Sequence, residues 1–433
     1  MIENIKRYSY NDLTLVPAVI SNVSSRSECN PFTSKKMLPI FTAPMASVVN
    51  GDNLGIFINN GIIPIIPRNI PIVQRMIYLH SNNNYWVALS LNEFKSFFID
   101  DKRLEEYTGS FHICVDIANG HMQSLYSKCH EAKKLAIKHG YKLTIMTGNI
   151  ANPETYKWIC EFNRLCNNSV IDYIRVGIGG GSGCITTSNV SIHYPQASLI
   201  DECYQVKQSL LSLHDDLGEL KYKESLFPKI VADGGIRNYD HVIKALALGA
   251  DYVMIGSVFA QCIESAGIKI NKNVNQKTLI KFPIEHYENF RIDSKGNVYG
   301  YYKESYVQHL IKPWQEKIDK TKKDFAEYKL DLLKYEERKK SLMEEKCIGP
   351  MDVKFFGMAS ADGQKSINGK KTKTAEGITK YLPIKYTLSG WVENMISYLR
   401  SAMSYCNCFT LEEFIGRPTL IVNSISEIQV VNK

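Results

Sequence analysis

The sequence lacks the cysteine patterns that mark a disulfide framework or a zinc site. Its 11 cysteines are odd in number, and none of them forms a Cys-x-x-Cys pair. Cys406 and Cys408 stand too close together for the usual zinc spacing. Scattered free thiols are typical of proteins in a reducing compartment. We therefore expect an intracellular, cytoplasmic protein without structural disulfide bonds.

Long apolar runs and dense clusters of positive charge are also missing. The longest apolar run, residues 61–67, is far shorter than the roughly 20 residues that cross a bilayer. Residues 1–11 are polar and do not resemble a signal peptide. Lys and Arg outnumber Asp and Glu by 52 to 44, a mild excess of +8 for 433 residues, whereas a dedicated nucleic-acid binder usually has a denser basic cluster. We expect neither a membrane nor a nucleic acid as a partner.

Short apolar runs alternate with amphipathic stretches through the first 265 residues. Stretches such as 123–139 and 241–248 have helical periodicity. This alternation predicts βαβ units around a parallel sheet, and about eight strand runs predict an α/β fold of the (β/α)8 or TIM-barrel type. The alternative is an open doubly wound sheet, but no Gly-x-Gly-x-x-Gly follows the first strand run. The strand runs are residues 38–41, 62–66, 86–89, 111–115, 142–146, 171–176, 229–232 and 252–255.

The barrel pattern stops at residues 268–350, which we interpret as an insertion within a single barrel domain that spans residues 1–433. The tripeptide Lys295-Gly296-Asn297 predicts the turn of a small hairpin between residues 290–293 and 298–302. Barrel-like sequence resumes at 355–360. It is followed by a helical stretch at 388–405 and by short apolar runs at 419–422 and 428–431.

The second half of the insertion is charged and carries an apolar stripe with heptad spacing. The stripe, broken by Thr321 and Lys339, predicts one long amphipathic helix from about residue 313 to 346, on the order of 50 Å in length. Pro313 suits its first position. The stripe needs a partner, either in the same subunit and insertion or on a neighbouring subunit or another protein. Its apolar positions are Ile311, Trp314, Ile318, Phe325, Tyr328, Leu332, Tyr335 and Leu342.

A glycine-rich segment follows the strand run 171–176. Five of the seven residues 177–183 are glycine, and Cys184 follows them. Successive backbone N–H groups of such a loop can bind an anion, and its carbonyls can bind a cation. Backbone dipoles also favour a thiolate, so Cys184 is a candidate nucleophile. The alternative is a structural turn with an inert cysteine.

Two further loops follow strand runs at the same predicted end of the barrel. Asp233-Gly234-Gly235 offers a carboxylate for the vicinal hydroxyls of a ribose, although Asp233 alone could also serve only a turn or a helix cap. Gly256-Ser257 offers N–H groups for a phosphate, and phosphate sites in late loops are frequent in this fold. Together with Cys184, these loops predict a nucleotide site.

The order and spacing of the motifs resemble the IMP dehydrogenase/GMP reductase family of (β/α)8 barrels. In that family the dehydrogenases oxidise IMP to XMP with NAD, and the reductases convert GMP to IMP and ammonia with NADPH. Both form a covalent bond between the loop cysteine and purine C2. The resembling segments are residues 8–17, 25–29, 43–45, 116–120, 177–186, 194–196, 232–236, 249–256, 356–360 and 375–377.

Several features of the resemblance favour the reductase. Segments 116–120 and 25–29 and the tripeptide Cys184-Ile185-Thr186 look like reductase versions of these motifs, and no tandem regulatory CBS domain fits after the second strand. Residues 361–377 should form the active-site flap. Its part 361–375 lacks the Arg-Tyr pair that activates water in dehydrogenases. Segments 43–45 and 256–257 look more dehydrogenase-like, so two alternatives stay open: an IMP dehydrogenase with a short flap, and a weakly active member that acts as a binding protein.

The resemblance implies roles for individual residues. Cys184 would attack C2 of GMP, and Thr186 and Glu376 would form the proton-transfer pair. The substrate contacts would be Ser182, Asp233, Gly234, Gly235, Gly256, Ser257, Gly357, Met358, Ala359, Lys373 and Gly377.

The resemblance also implies ligands beyond the nucleotide. NADPH would contact Ser25, Arg26, Arg68, Asp116, Ile117, Ala118, Ile178 and Gly179. The carbonyls of Gly179, Gly181 and Cys184 would hold a monovalent cation, K⁺, and the chain would form a homotetramer. The sequence departs from the family at Thr187, where Arg or Lys is usual, at Pro67, where His is common, and at Lys373, where many reductases have Arg.

Overall fold

Eight parallel strands form the centre of the structure, a computed structural model that describes residues 5–81, 85–101, 109–214, 220–271, 284–321, 325–370 and 373–423. The strands up to residue 255 are β1 (Leu13–Leu15), β2 (Ile40–Thr42), β3 (Ile65–Ile66), β4 (Trp86–Leu89), β5 (Ser110–Val115), β6 (Lys142–Ile150), β7 (Tyr173–Val176), β8 (Lys229–Asp233) and β9 (Tyr252–Ile255).

The parallel sheet is a nearly closed barrel. Its order is β2-β9-β8-β7-β6-β5-β4-β3. A bridge between Phe41 and Ile63, in which Thr42 N–H donates to the Ile63 carbonyl at 3.0 Å, joins β2 to the segment that leads into β3. The predicted (β/α)8 barrel is therefore confirmed, with a strand at each of the eight predicted runs.

The strands match the predicted runs because parallel strands are buried on both faces and read as continuous apolar segments. All four residues of β4 are buried. Strand β6 extends past its predicted end at Met146 to Ile150, although the added part includes polar residues. Thr147 is tolerated there because its hydroxyl donates to the carbonyl of Val115 at 3.4 Å.

Helices follow most of the barrel strands. Gly140, in a left-handed conformation with φ of 78°, ends the helix at 123–139, which has the predicted bounds. Asn152 caps the next helix by accepting a hydrogen bond from Glu154 N–H at 2.9 Å. The helices up to residue 260 are α1 (Leu54–Asn59), α2 (Ile72–Ser81), α3 (Leu91–Lys95), α4 (Gln123–His139), α5 (Pro153–Leu165), α6 (Thr186–Val190), α7 (Gln196–Leu211), α8 (Tyr239–Ala247) and α9 (Ser257–Ala260).

Aromatic side chains fill the barrel at the end where its strands begin. Phe41, Trp86, Tyr173 and Tyr252 contact one another with ring centroids 5.0 to 6.0 Å apart. These rings close that end of the barrel as a packed core. A ligand can therefore enter the barrel only from the opposite end, where the strands finish.

The insertion begins after the eighth barrel strand and forms an antiparallel sheet of its own. Its strands are β10 (Lys269–Asn271), β11 (Tyr287–Ile292), β12 (Asn297–Tyr302), β13 (Lys346–Phe356) and β14 (Thr379–Pro383), in the order β10-β13-β12-β11 with β14 paired to β13. The predicted hairpin is confirmed as β11 and β12, and Gly296 in its turn has φ of 81°. Residues 272–283 of the predicted insertion lie outside the described part of the chain.

The prediction of one long helix in the insertion is wrong. The chain forms α10 (Glu304–Thr321) and α11 (Phe325–Met343). The two helices run antiparallel: Lys317 Nζ lies 2.8 Å from Asp331 Oδ1, and Leu342 packs against Val307 and Ile311. Folding back buries Ile311, Ile318 and Leu342 of the apolar stripe, whereas Leu332 stays exposed. The stripe therefore finds its partner inside the insertion, which was one of the two alternatives.

The bounds of the first insertion helix also differ from the prediction. Helix α10 begins at Glu304, so Pro313 lies inside it and not at its first position. Tyr306, in the first turn of α10, contacts Tyr302 at the end of β12, with ring centroids 5.3 Å apart. The heptad pattern gives no information about this contact with β12, so it did not predict that the helix begins at Glu304.

The remaining elements complete the barrel. They are α12 (Ala361–Asn368), α13 (Leu388–Tyr405), α14 (Leu411–Phe414) and β15 (Leu420–Val422), which pairs antiparallel with β1. Helix α13 has the predicted bounds and packs on α8 through Trp391, whose ring stacks on Tyr239 at 5.2 Å. The predicted run at 428–431 lies outside the described residues. Among the described helices, none has the length and apolar character to cross a membrane.

Candidate active site

A cavity of about 250 Å³ opens at the end of the barrel where its strands finish. It is formed by the loops after β5, β7, β8 and β9 together with residues 355–359 and 376–377. The predicted site residues in its wall are Asp116, Ala118, Gly181, Ser182, Cys184, Thr186, Asp233, Gly234, Gly235, Gly256, Ser257, Gly357, Met358, Ala359, Glu376 and Gly377.

The glycine-rich loop after β7 carries Cys184 into this cavity. Gly177 begins the loop with φ of 133°, and a side chain there would place its Cβ 2.2 Å from the carbonyl oxygen of Asp233. A Cβ at Gly183 would lie 2.9 Å from the backbone nitrogen of Gly357. The loop thus packs closely against its neighbours at positions where only glycine fits. A turn from Gly181 O to Cys184 N–H, at 3.0 Å, then directs the cysteine inward.

The sulfur of Cys184 lies among hydrogen-bond donors. Its Sγ is 3.0 Å from Thr186 Oγ1 and 3.4 Å from the backbone nitrogen of Thr186. When the sulfur is ionised, both the hydroxyl and the N–H of Thr186 can donate to it. The arrangement provides a nucleophile and a hydroxyl that can pass a proton.

Segment 376–377 completes the nucleophile's surroundings. Cys184 forms a β-bridge with Gly377, and the N–H of Ile185 donates to the carbonyl of Glu376 at 3.1 Å. These backbone bonds fix the end of the predicted flap against the catalytic loop. The Glu376 side chain is part of the cavity wall that also includes Thr186.

A buried arginine that the sequence analysis missed organises the floor of the cavity. Arg175 on β7 lies between two carboxylates: its Nη1 is 2.8 Å from Asp116 Oδ1, and its Nη2 is 2.8 Å from Asp233 Oδ2. Asn149 Nδ2 donates to the same Asp233 oxygen at 2.7 Å. Burial disfavours the charge of Arg175, but Asp233 and Asp116 outweigh that cost and raise its pKa well above the ordinary value.

A signal for Arg175 was present in the sequence. It is the one charged residue among positions 173–176 of an otherwise apolar strand run. A charge in a buried strand is costly unless it is paired. Such a residue indicates that carboxylates from neighbouring strands reach it, which is what the structure shows at Asp116 and Asp233.

The opposite side of the cavity is rich in hydroxyl and backbone N–H groups. Ser182 Oγ and Ser257 Oγ are 3.2 Å apart. None of the N–H groups of residues 179–183 donates to another residue in the described part of the chain. Gly234 and Gly235 have φ of 99° and 75°. Free donors of this kind suit an anion such as a phosphate.

The predicted cofactor residues divide into two groups. Asp116 and Ala118 line the cavity, Ile117 stands between them in sequence, and Arg68 Nη1 lies 3.8 Å from Asp116 Oδ2. Ser25 and Arg26 lie outside the cavity wall: Ser25 caps the short 3-10 helix Arg26–Glu28, and Arg26 donates to Ser401 of α13 at 3.3 Å.

Three other predicted residues also lie outside this cavity. Ile178 O accepts a hydrogen bond from His193 Nδ1 at 3.0 Å, and Gly179 belongs to a second cavity on the other side of the loop. Lys373 is exposed, and its N–H donates to Gln364 at 2.8 Å. The ligand contacts assigned to these residues stay predictions.

The comparison with known sequences identifies the family. The sequence model described as "IMP dehydrogenase / GMP reductase domain" matches residues 7–281, which is more than half of the 433 residues. The chain belongs to the IMP dehydrogenase/GMP reductase family. It is an α/β-barrel oxidoreductase of that family, and the match includes the barrel strands, the cysteine loop and the start of the insertion.

Individual relatives of this IMP dehydrogenase/GMP reductase family member agree with the match. A protein named GMP reductase from Bacillus thuringiensis (strain Al Hakam) is 28% identical over 318 residues, which cover 71% of this chain and 85% of the relative. The GMP reductase of Helicobacter pylori is 26% identical over 320 residues, with the same coverage of 71% and 85%. That of Staphylococcus epidermidis is 29% identical over 276 residues, 61% of this chain and 74% of the relative.

Two of the three carbonyl groups predicted to hold a potassium ion each accept one hydrogen bond, whereas none is found for the Cys184 carbonyl among the described residues. Gly179 O accepts from the hydroxyl of Thr187 at 3.2 Å, and Gly181 O accepts from Cys184 N–H at 3.0 Å. The second cavity beside these carbonyls is lined by Arg237 and Lys380 and by no Asp or Glu among the described residues. This donor set does not fit a monovalent cation, because nearby positive charges repel it.

Proposed function

We propose that this protein is an NADPH-dependent GMP reductase, which converts GMP to IMP and ammonia. The observation that carries the proposal is the approach of Cys184 Sγ to Thr186 Oγ1 at 3.0 Å, in a cavity whose wall includes Glu376. The relatives named GMP reductase support it. Segment 361–375 supports it as well, because it contains neither Arg nor Tyr and so lacks the pair that the resemblance associates with hydrolysis.

Cys184 is the nucleophile of the proposed reaction. As a thiolate it forms a bond to purine C2 of GMP. Thr186 and Glu376 deliver a proton to the 2-amino group, which leaves as ammonia and gives a thioimidate between C2 and the Cys184 sulfur. When bound, NADPH supplies the hydride that reduces C2. The carbon–sulfur bond then breaks, and the N–H and hydroxyl of Thr186 stabilise the departing thiolate of Cys184 as IMP is released.

The substrate is held along the cavity from phosphate to purine. Ser182 and Ser257, with the free N–H groups of the glycine loops, bind the phosphate. Asp233 accepts the ribose hydroxyls, and Arg175 and Asn149 fix the position of its carboxylate. The purine then lies between the Cys184 loop and residues 357–359 and 376–377, which form the remaining wall.

The nicotinamide of the cofactor lies on the side of Asp116 and Ala118. These residues share the cavity with Cys184, so a ring bound there can approach C2 of the purine. Arg68 places a positive charge next to Asp116 at the edge of the site. Ser25 and Arg26 lie away from this cavity, and in the proposed homotetramer they are free to contact a cofactor on a neighbouring subunit. Sedimentation analysis of the purified protein tests the tetramer.

Turnover assays test the proposed reaction. The purified protein is given GMP with NADPH, and separately IMP with NAD, while the absorbance band of the reduced cofactor is followed. We expect NADPH to be consumed only with GMP. Cys184→Ala should abolish this activity, and Thr186→Val should lower kcat by about 10² with little change in KM for GMP. Cys166→Ala, which removes a partly buried thiol outside the cavity, is the matched control and should keep wild-type activity.

Two results would overturn the proposal. Formation of NADH from IMP and NAD would identify a dehydrogenase with a short flap. If a protein with a normal melting curve shows no activity in either assay, it is a family member that binds ligands without turning them over.

A further inference from the structure

A second cavity of about 440 Å³ lies against the other side of the Cys184 loop. Its wall combines the backbone of residues 179–182 with the N-terminal residues 9–11, the loop after β8 and strand β14. It shares Gly181, Ser182 and Cys184 with the candidate active site. A ligand in this cavity would therefore contact the loop that carries the nucleophile.

The charged groups around the second cavity are all of one sign. Arg237 and Lys380 line it, and neither forms an ion pair with a residue in the described ranges. No Asp or Glu belongs to the described part of its wall. Two histidines also line the cavity: His193 Nδ1 donates to the carbonyl of Ile178 at 3.0 Å, and His241 contacts Gly235 O and Asn11 Oδ1. Unpaired cations around a concave site attract anions.

The neutral groups of the wall supply further donors. Tyr10 is 2% exposed, and its hydroxyl and the Oε1 of the adjacent Gln196, which lines the same cavity, both lack a hydrogen-bond partner among the described residues. A buried hydroxyl without a partner is costly, and an acceptor in the cavity would satisfy it. The N–H groups of Gly179 and Gly180, which line this cavity and not the candidate active site, also lack acceptors within the described chain. By contrast, two acceptors of the loop, Gly179 O and Gly181 O, already accept one hydrogen bond each, from Thr187 and Cys184.

We propose that this second cavity binds a small oxyanion of the phosphate class between Arg237 and Lys380, at the position where the family resemblance implied a potassium ion. Arg and Lys both bind phosphate oxygens, and Arg does so with two parallel hydrogen bonds. The hydroxyl of Tyr10 provides a neutral donor at the buried end. The anion adds to the proposed reaction by holding the Cys184 loop from the side opposite to the substrate.

Calorimetric titration of sodium phosphate into the full-length protein saturated with GMP tests this proposal. GMP fills the phosphate position of the candidate active site, so the remaining binding reports the second cavity. We expect one phosphate to bind to each chain of the wild type. The double variant Arg237→Gln/Lys380→Gln should bind it about tenfold more weakly, because charge-assisted hydrogen bonds are lost. Lys385→Gln, an exposed lysine outside the cavity, is the matched control and should bind as the wild type does.

The cation is tested in the same way. Potassium chloride should give no binding heat, and potassium phosphate should behave as sodium phosphate does. The proposal is overturned if phosphate only competes with GMP for one site, if the double variant binds phosphate as tightly as the wild type, or if potassium chloride binds at this loop. Both substituted side chains are exposed, so melting curves should confirm that the double variant is folded.

The result is separable from the proposed function. If GMP itself does not bind, the GMP reductase proposal fails, and phosphate is then titrated alone. The wild type should in that case still bind phosphate at the second cavity, and the double variant should bind it about tenfold more weakly.

Discussion

Arg175 and its carboxylate partners show how single side chains link the two ligand sides of the cavity. The guanidinium joins Asp116, on the proposed cofactor side, to Asp233, on the proposed ribose side. All three groups are at most about one-fifth exposed. Removing one partner from such a network leaves buried charges without compensation, which costs more than the pair contributes.

Replacement of Arg175 should therefore destabilise the protein and weaken both ligands. For Arg175→Met we expect the free energy of unfolding to fall by about 3–5 kcal/mol and KM to rise for both GMP and NADPH. Urea unfolding and steady-state kinetics measure the two effects. Arg175→Lys keeps the charge and should lose less stability. An Arg175→Met protein as stable as the wild type would show that the two carboxylates do not depend on the guanidinium.

The insertion is connected to the candidate active site through strand β13, but its helices lie away from the cavity. None of the described residues of α10 and α11 lines the candidate active site. The helices leave and return through neighbouring strands, since Gly300 of β12 pairs with Lys346 of β13. Two strands in such register can be joined by a two-residue turn.

Replacement of residues 304–342 by an Asn-Gly turn, which would join Lys303 directly to its facing position 343, should therefore preserve catalysis. We expect kcat/KM for GMP to stay within about twofold of the wild type, the range typical of changes distant from the active site. Steady-state assays measure it, and circular dichroism checks that the barrel is folded. A folded but inactive variant would contradict the prediction and show that the helices support the cavity.

The entry to the insertion contains a buried lysine whose protonation should affect stability. Lys269 on β10 is 3% exposed, and its Nζ donates to the backbone and, at 3.1 Å, to the hydroxyl of Ser265. Burial lowers the pKa of Lys269 to about 7, although the nearby Glu264 opposes the shift. Burial also raises the pKa of the Glu264 carboxyl and of the Cys262 thiol that face it.

The contribution of Lys269 to stability should rise with pH between about 7 and 9 and is read as the difference between the wild type and Lys269→Met, because buried thiols of raised pKa such as Cys262 act in the opposite direction. In that window the unfolded chain holds a proton on Lys269 that the folded chain has lost, so folding becomes more favourable as pH increases, by up to about 1 kcal/mol per pH unit. Below pH 7, Lys269 is protonated in both the folded and the unfolded chain, and the buried charge lowers the free energy of unfolding by its full amount. Denaturant titrations at several pH values measure the slope. Lys269→Met should lower the slope by this amount, whereas the exposed Lys385→Met should leave it unchanged. An unchanged slope in Lys269→Met would assign it to another group.

At the scale of the whole molecule, the positive charge is unevenly distributed. Residues 268–350 contain 18 Lys and Arg against 13 Asp and Glu, and residues 364–373 contain four Lys and no acidic residue. The net charge of +8 therefore belongs to the insertion and the predicted flap, while the rest of the chain is almost neutral. The predicted flap, residues 361–377, also contains Glu376 and Gly377, which line the site proposed for two phosphorylated ligands.

Neutralisation of the flap lysines should weaken those ligands. For Lys370→Gln, Lys371→Gln and Lys373→Gln combined, we expect KM for GMP or NADPH to rise about two- to fivefold. The effect should be larger at low salt, because added ions screen exposed charges. Kinetics at two ionic strengths measure it. Equal KM values would show that the lysines are a solvated run, which is also compatible with the exposed position of Lys373.

The barrel could be predicted because strands that are buried on both faces are continuous apolar runs in the sequence. The cysteine loop could be predicted because close backbone contacts require its glycines, as at Gly177. The helical hairpin could not, because a heptad stripe has the same spacing whether it pairs with another chain or folds back on itself. Arg175 was missed for a related reason. Its importance depends on Asp116 and Asp233, which are distant in sequence and meet only in the folded barrel.

Strand β13 belongs to two parts of the molecule at once. Met351 and Val353 contribute to the core of the insertion sheet, and Phe355, on the same strand, lines the candidate active site. A molecule that grips the insertion and shifts this strand would change the affinity of the cavity for its nucleotide. Thermodynamic reciprocity then requires the nucleotide to change the affinity of that molecule by the same factor. Strand β13 of the added sheet is thus the element through which binding at the insertion and binding in the cavity would affect each other.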